Sequence, residues 1–96
     1  RDDADALDAI AATEISGLNL ADLDCNHLST LARAIRSRVL RAALYAAGAP
    51  SGSITADHLA SVEALVTSWH GQGALSLPGG VKVERISGRL SLLAQP

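Results

Sequence analysis

The chain contains very few aromatic residues and no long sulfur-containing side chain. Phe and Met are absent, and Trp69 and Tyr45 are the only aromatic residues among 96. A core of this composition must rely on Leu, Ile, Val and Ala, and alanine contributes little buried apolar area. Because so few aromatic side chains are available to stack unpaired bases, the sequence argues against a nucleic-acid reader of the RRM or OB type.

Cysteine and long apolar runs are also scarce. Cys25 is the single cysteine, so no intrachain disulfide is possible, and a reducing, cytoplasmic location is expected. No run of about 18 apolar residues exists, which argues against a membrane span. The acidic opening residues lack the features of a targeting peptide. Arg1 is not a start residue, and we expect the chain to have been trimmed from a longer protein.

Length and charge suggest a single, modestly stable domain. A chain of 96 residues is one domain's worth, and an interface with another domain could add stability. The net charge of −2 and the pI of 5.8 argue against a free-standing nucleic-acid binder. The charges are unevenly distributed, however. Acidic residues cluster at the N-terminus (Asp2, Asp3, Asp5 and Asp8), and arginines cluster in one central segment (Arg33, Arg36, Arg38 and Arg41).

Hydrophobic periodicity predicts three helices. The first covers residues 2–16 and ends at Gly17. Residues 18–23 form either a short extended segment or a turn. The second helix is expected to begin near Ser29 or Thr30 and to end at Gly48. The third is expected to begin after an N-cap at Thr55 and to end at Gly71, with a buried stripe of Leu59, Val62, Leu65, Val66 and Trp69.

The second predicted helix is apolar on two sides. One face carries Leu31, Ile35, Val39, Ala42 and Ala46. Leu40 and Leu44 fall on the opposite side among the arginines, and a helix that is apolar on two sides is buried on two sides. We therefore expect Leu40 and Leu44 to pack against another domain.

The last quarter of the chain changes to a period of two. Pairs of alternating apolar residues predict three strands, separated by the turn signals Pro78-Gly79-Gly80 and Ser87-Gly88; the pairs are Leu75 and Leu77, Val81 and Val83, and Leu90 and Leu92. The predicted fold is therefore α+β, with three helices followed by a small three-stranded antiparallel β-meander.

Catalytic, metal and nucleotide sites find little support in the sequence. The three histidines (His27, His58 and His70) lack metal-ligand spacing, and Cys25 with His27 has no further ligands nearby. His58 is expected to be a surface or capping residue. No nucleophile elbow is present, and no glycine-rich loop ends in Gly-Lys-Ser/Thr before a helix. We therefore expect no catalytic residue, metal or ATP site in this chain.

The arginine cluster is the clearest chemical feature. At 100° per residue, Arg33, Arg36 and Arg41 fall within roughly 140° of one another, and Arg38 extends the patch. Such a patch could contact RNA phosphates, pair with acidic groups at an interface or on the Asp-rich first helix, or remain a solvated face. A second, weaker basic group comprises Lys82, Arg85 and Arg89.

Several segments resemble one family in their order and spacing. Residues 28–41, with the sequence Arg-Ser-Arg-Val-Leu-Arg at their end, resemble the segment after the catalytic domain of bacterial tRNA(Ile)-lysidine synthetases. Residues 69–73, 77–83 and 88–90 continue the resemblance, which covers essentially the whole chain. One departure is visible, since many relatives carry prolines where Ala32 and Arg33 stand.

The resemblance implies a role in binding tRNA. The family uses ATP, with Mg, to activate a cytidine of tRNA-Ile with a CAU anticodon, and then couples lysine to it. Its ATP site is a PP-loop of the form Ser-Gly-Gly-x-Asp-Ser in an N-terminal catalytic domain, and this motif is absent here. Residues 1–96 would thus be a non-catalytic accessory domain that helps to hold tRNA and packs on the catalytic domain. The resemblance assigns tRNA contacts to Arg36, Arg38 and Arg41, and charge alone extends them to Lys82, Arg85 and Arg89.

Two rival functions follow from the same residues. The domain could be a scaffold or homodimerisation module without direct RNA contact. A DNA-binding helix–turn–helix is disfavoured because the third predicted helix carries Asp57 and Glu63 but no Lys or Arg. DNA is therefore not an expected partner.

Overall fold

The computed structural model describes residues 2–95, with the side chain of Asp2 outside the described part. Within this range the chain forms α1 (Asp2–Ser16), β1 (Asp22–Asp24), α2 (Cys25–Thr30), α3 (Arg33–Ala47) and α4 (Ala56–Thr67), followed by β2 (Leu75–Leu77), β3 (Val81–Ile86) and β4 (Arg89–Ala94). A single 3-10 turn, Pro78–Gly80, joins β2 to β3. No helix in this range has the length and apolarity needed to cross a membrane.

The strands form one antiparallel sheet in the order β1-β4-β3-β2. The prediction of three helices followed by a three-stranded meander is therefore wrong. The described residues contain four helices, and β1 adds a fourth strand by pairing Leu23 with Leu90. This pairing joins segments far apart in sequence, so no local turn signal announces it.

The additional strand and helix lie in the segment after Gly17. Leu23 is the only buried residue of β1, which leaves a weak alternation pattern. The next helix, α2, has only six residues and begins when the Asp24 side chain accepts a hydrogen bond of 2.9 Å from the Asn26 amide. Such short elements fall below the length at which periodicity identifies a helix.

The start of α3 differs from the prediction for a related reason. Ser29 and Thr30 lie in α2, where their hydroxyls donate to the carbonyls of Asn26 and His27 at 2.8 and 2.6 Å. The N-cap of α3 is Ala32, which has no side-chain oxygen to accept a hydrogen bond. The predicted end at Gly48 is confirmed, with φ of 126° at that glycine.

Helix α3 is the centre of the core and contacts α1, α4 and β4. Val39, Leu40, Ala43 and Leu44 are all 0% exposed. This corrects the assignment of Leu40 and Leu44 to a docking surface, because both side chains are enclosed by this domain and offer no area to another. Ala46, placed on the apolar face by the sequence, is exposed instead.

The core closes between the helices and one face of the sheet. On β3 the buried residues are Val81 and Val83, and on β4 they are Leu90 and Leu92. The opposite sheet face carries the alternate residues, including Lys82 and Arg89. The β3–β4 hairpin turns at Ser87-Gly88, as predicted, with φ of 52° and 78°.

Candidate nucleic-acid interface

An open cleft separates α3 from α4. Its volume of about 590 Å³ falls within the usual range for binding sites. The α3 wall carries three arginines and Ser37, while the α4 wall combines three alanines with Leu59 and Glu63 and has hydroxyls at one end. The arginines are Arg33, Arg36 and Arg41, the alanines are Ala56, Ala60 and Ala64, and the hydroxyls belong to Thr67 and Ser68. A basic wall facing a low wall of small side chains allows a bulky anionic chain to approach closely.

The helices that form the cleft run antiparallel. Arg36, near the start of α3, contacts Glu63 near the end of α4. Arg41 lies further along α3, and its Nη1 donates 3.0 Å to the carbonyl of Ile54, just before α4 begins. Arg33 therefore lies at the Ser68 end of the cleft and Arg41 at the opposite end.

Arg36 lies beneath the cleft and is occupied by the protein itself. Its Nε donates to a carboxylate oxygen of Glu63 at 2.7 Å, and its Nη1 donates to the carbonyl of Leu31 at 2.9 Å. The residue is only 8% exposed. This guanidinium neutralises the one acidic residue that lines the cleft, and it has little surface for an RNA phosphate.

Arg38 points away from the cleft toward α1. Its Nε donates to Asp8 at 2.7 Å, and its Nη1 donates to the carbonyl of Ala34 at 3.0 Å. Of the alternatives open from the sequence, the structure therefore shows pairing with the Asp-rich first helix for this residue. Asp3 and Asp5 of the same acidic cluster are exposed, and the side chain of Asp2 lies outside the described residues.

Arg33 and Arg41 remain as the cations of the cleft. Both are exposed. Within residues 3–95, Arg33 has no hydrogen-bond or ion-pair partner, and Arg41 uses only one nitrogen on Ile54. Their Cα atoms are eight residues apart on one helix, or about 12 Å. At this spacing the two guanidinium groups can contact two separate phosphates of one RNA backbone.

The weaker basic group predicted near the C-terminus does not form one patch. Lys82 pairs with Glu84 at 3.5 Å, and Arg89 pairs with Asp22 at 2.8 Å, both on the outer face of the sheet. The hydrogen bond from Arg89 to the Asp22 carboxylate raises the pKa of Arg89 above its ordinary value. Arg85 lies on the core side, where its Nη1 donates to the Leu65 carbonyl at 2.8 Å, near the end of α4.

Residues 23–91 match the sequence model of the family described as "TilS substrate binding domain". This chain belongs to that family. The match begins at β1 and ends in β4, so it contains both walls of the cleft.

Curated relatives of this TilS substrate binding domain are named tRNA(Ile)-lysidine synthase. The protein from Streptomyces coelicolor is 48% identical over 92 residues, covering 94% of this chain and 26% of the relative. The protein from Thermobifida fusca is 45% identical over 96 residues, covering 98% of this chain and 30% of the relative. The Mycobacterium bovis protein is 35% identical over 91 residues. The chain thus spans less than a third of the length of the first two relatives.

The remaining polar groups of this TilS domain serve its structure. His58 caps α4 as predicted, since its Nδ1 accepts 3.0 Å from the Thr55 amide while Thr55 Oγ1 accepts 3.2 Å from the His58 amide. His27 pairs with Glu14 of α1. Burial raises the pKa of the Cys25 thiol, and nearby Arg85 lowers it by less. Among the described residues, no group of three or more His, Cys, Asp or Glu could hold a metal ion.

Trp69 differs from its predicted place in the buried stripe of α4. The helix ends at Thr67, where Ser68 leaves the helical conformation, so the stripe stops at Val66. Trp69 is consequently 41% exposed beside the cleft residue Ser68. The sequence contained one usable signal for the cleft itself, which is the spacing of four between Ala56, Ala60 and Ala64 on one helix face.

Proposed function

We propose that this domain binds tRNA as part of a tRNA(Ile)-lysidine synthase, with RNA phosphates lying in the α3–α4 cleft against Arg33 and Arg41. One observation carries this proposal: these two exposed cations share a cleft in which Glu63, the only acidic residue of the described lining, is already paired with Arg36. The site is therefore positively charged although the chain as a whole has a net charge of −2. Phosphate contacts of this kind position RNA and do not read its sequence.

The reaction itself belongs to the parent protein. Residues 1–96 would be a single accessory domain, and an N-terminal catalytic PP-loop domain outside this chain would use ATP and Mg to join lysine to the anticodon cytidine of tRNA-Ile (CAU) in the cytoplasm. The glycine turns of this chain do not suit ATP, because Pro78–Gly80 leads into β3 and not into a helix N-terminus. The domain contributes substrate binding and no catalytic group.

The cleft suits a phosphate backbone better than a small ligand. On its α4 wall the three alanines offer no side-chain hydrogen-bonding group, and the Glu63 carboxylate is already paired with Arg36, so this wall has few free groups to select a small ligand. Arg33 and Arg41 supply charge toward opposite ends, from Cα atoms about 12 Å apart. Affinity should therefore depend strongly on salt and weakly on base sequence.

The test is tRNA binding by variants with one or both cleft arginines replaced. We expect Arg33→Gln and Arg41→Gln each to reduce the slope of log affinity against log salt by about 1, and the double variant by about 2. Lys82→Gln, on the outer sheet face, is the matched control and should keep the wild-type slope. An unchanged slope in a folded double variant would show that RNA does not lie in this cleft.

A second candidate function is a scaffold or homodimerisation module without direct RNA contact. Ile86 and Leu93 on the outer sheet face are 55% and 56% exposed, which favours a protein contact there. Light scattering on the 96-residue chain tests homodimerisation directly. A concentration-dependent dimer that Ile86→Ser with Leu93→Ser abolishes, together with no tRNA binding by the folded chain, would favour this candidate.

A further inference from the structure

Trp69 is an exposed aromatic side chain that neither the core nor the arginine wall of the cleft uses. It is the only tryptophan of the chain and is 41% exposed, although large aromatic residues usually bury most of their surface. It immediately follows Ser68, which lines the cleft. An exposed indole at the end of a cationic cleft has the chemistry of a stacking surface.

The Trp69 ring contacts the guanidinium group of Arg85. The guanidinium carbon of Arg85 lies 5.2 Å from the ring centroid, within cation–π distance. Arg85 is itself fixed, because its Nη1 donates to the carbonyls of Leu65 and Val66 at 2.8 and 3.2 Å. The ring is thus ordered before any partner arrives, which lowers the entropy cost of stacking on it.

The loop that carries Trp69 is also tied to α4. The Gln72 side-chain amide donates to the carbonyls of Ala64 and Ser68, both at 3.4 Å. The same side chain accepts a 2.8 Å hydrogen bond from the His70 amide. These contacts tie the loop of residues 68–72 back to the end of α4, which restricts the backbone position of Trp69.

We propose that Trp69 is a stacking site for one unpaired nucleobase of the RNA that occupies the cleft. This proposal rests on the proposed function and extends it from phosphate contacts to a base contact. Arg33 lies at the Ser68 end of the cleft, so a phosphate bound there would place its nucleotide beside Trp69. The indole and the Arg85 guanidinium then form a stack onto which the base adds a third layer.

The surrounding charge favours a nucleic acid over a protein partner. Arg85 contacts the Trp69 ring, Arg33 lines the same cleft as Ser68, and Glu63, an acidic residue of the cleft, is paired with Arg36. A single platform is also consistent with the low aromatic content, because it contacts one base and does not read a run of bases. The specific requirement is that the base be unpaired, since a base within a duplex has no exposed face.

The experiment uses the 96-residue chain with two RNA probes that share one stem: a stem-loop with unpaired loop nucleotides and a fully paired duplex. Since Trp69 is the only tryptophan, its fluorescence reports the site directly. We expect the stem-loop to quench this fluorescence and the duplex to leave it nearly unchanged. If the stem-loop binds but does not quench the fluorescence, the proposal is overturned by the wild-type measurement alone.

Two variants distinguish aromatic stacking from a contact that any large apolar side chain could make. Trp69→Leu should weaken stem-loop binding about 5- to 150-fold and leave duplex binding unchanged, whereas Trp69→Phe should retain most of the affinity. Equal losses with leucine and phenylalanine, or equal losses for both probes, would overturn a stacking role. Thermal unfolding of each variant identifies any loss of fold.

The outcomes also separate this proposal from the proposed function. Stem-loop binding that depends on Arg33 and Arg41 but is unaffected by Trp69→Leu would leave tRNA binding intact and overturn the stacking site. Loss of self-association with Trp69→Leu, without any change in RNA binding, would assign the indole to a protein contact and also overturn it. Absence of binding to either probe by the wild-type chain would reject both proposals.

Discussion

The side chains of Arg36 and Glu63 join α3 to α4 directly beneath the candidate RNA cleft. Arg36 Nε lies 2.7 Å from a Glu63 carboxylate oxygen, and the two side chains are only 10% and 18% exposed. Screening by solvent is weak at this depth, so each charge depends on the other. The pair therefore lies at the base of the cleft, where its two charges neutralise each other.

Removing one member of this pair should destabilise the fold. Glu63→Leu leaves the Arg36 guanidinium buried without its partner, and we expect a loss of about 3–5 kcal/mol in the free energy of unfolding. The double replacement Arg36→Met with Glu63→Leu should restore most of it, because no unpaired charge remains. Urea unfolding measures both, and a double variant no more stable than the single one would contradict the paired-charge explanation.

The alanine wall predicts opposite effects of two charges at one position. Ala60→Lys adds a cation to the α4 wall and should tighten tRNA binding, while Ala60→Glu should weaken it because the carboxylate repels phosphate. Filter binding at low salt measures both. Ser61→Lys and Ser61→Glu are controls on the same helix but outside the cleft lining. Equal responses at residues 60 and 61 would show that only net charge matters.

Gly79 should not tolerate a side chain. Its φ is 81°, and an added Cβ would lie 2.5 Å from the Gly48 carbonyl oxygen and 2.8 Å from Pro50 Cδ. Gly52 also has positive φ, 77°, but nothing lies within 4 Å of an added Cβ there. We expect Gly52→Ala to cost about 1–2 kcal/mol from φ alone, and Gly79→Ala about 1–3 kcal/mol more from overpacking. Thermal unfolding measures the difference, and equal losses would mean that the turn moves away from Gly48.

Cys25 should react slowly and should make stability depend on alkaline pH. Burial raises the pKa of this thiol, so the folded state holds the proton more tightly than the unfolded state does. Its contribution to stability is complete below the ordinary thiol pKa of about 8.5 and falls as pH rises above that value. Urea unfolding between pH 8 and about pH 10 should show a steeper decline for the wild type than for Cys25→Ala. Parallel declines, or labelling by a thiol reagent as fast as for free cysteine, would contradict this.

Local sequence signals predicted much of the helical framework. The helix end at Gly48, the cap formed by Thr55 with His58, and the hairpin turn at Ser87-Gly88 all depend on neighbouring residues, and all are confirmed. Residues 18–23, left open as an extended segment or a turn, lead into β1, but the pairing of β1 in the sheet and the helix α2 were not predicted, because these elements have only three and six residues. Elements that short owe their existence to a distant partner, here the pairing of Leu23 with Leu90.

The sequence identified arginines as the candidate site residues, but it could not show which of them line the cleft. All seven candidate cations were visible in the sequence, and helical spacing grouped the four arginines of the central segment. Spacing cannot show which guanidinium groups meet a carboxylate. Arg36 meets Glu63 27 residues away, and Arg38 meets Asp8 30 residues away, so both are occupied. Trp69 was likewise assigned to the core because the end of α4 at Thr67 has no glycine to mark it.

The sequence by itself determined the family, the main helices, the β3–β4 hairpin and the presence of an arginine-rich helix, since each depends on residue identity or on spacing within a few residues. The tertiary structure alone decided that Leu40 and Leu44 are core residues, that Arg33 and Arg41 share a cleft, and that Trp69 reaches solvent. The physical reason is that exposure and charge pairing are properties of surfaces brought together by packing. Two residues on one helix therefore differ in function according to what the next helix presents to them.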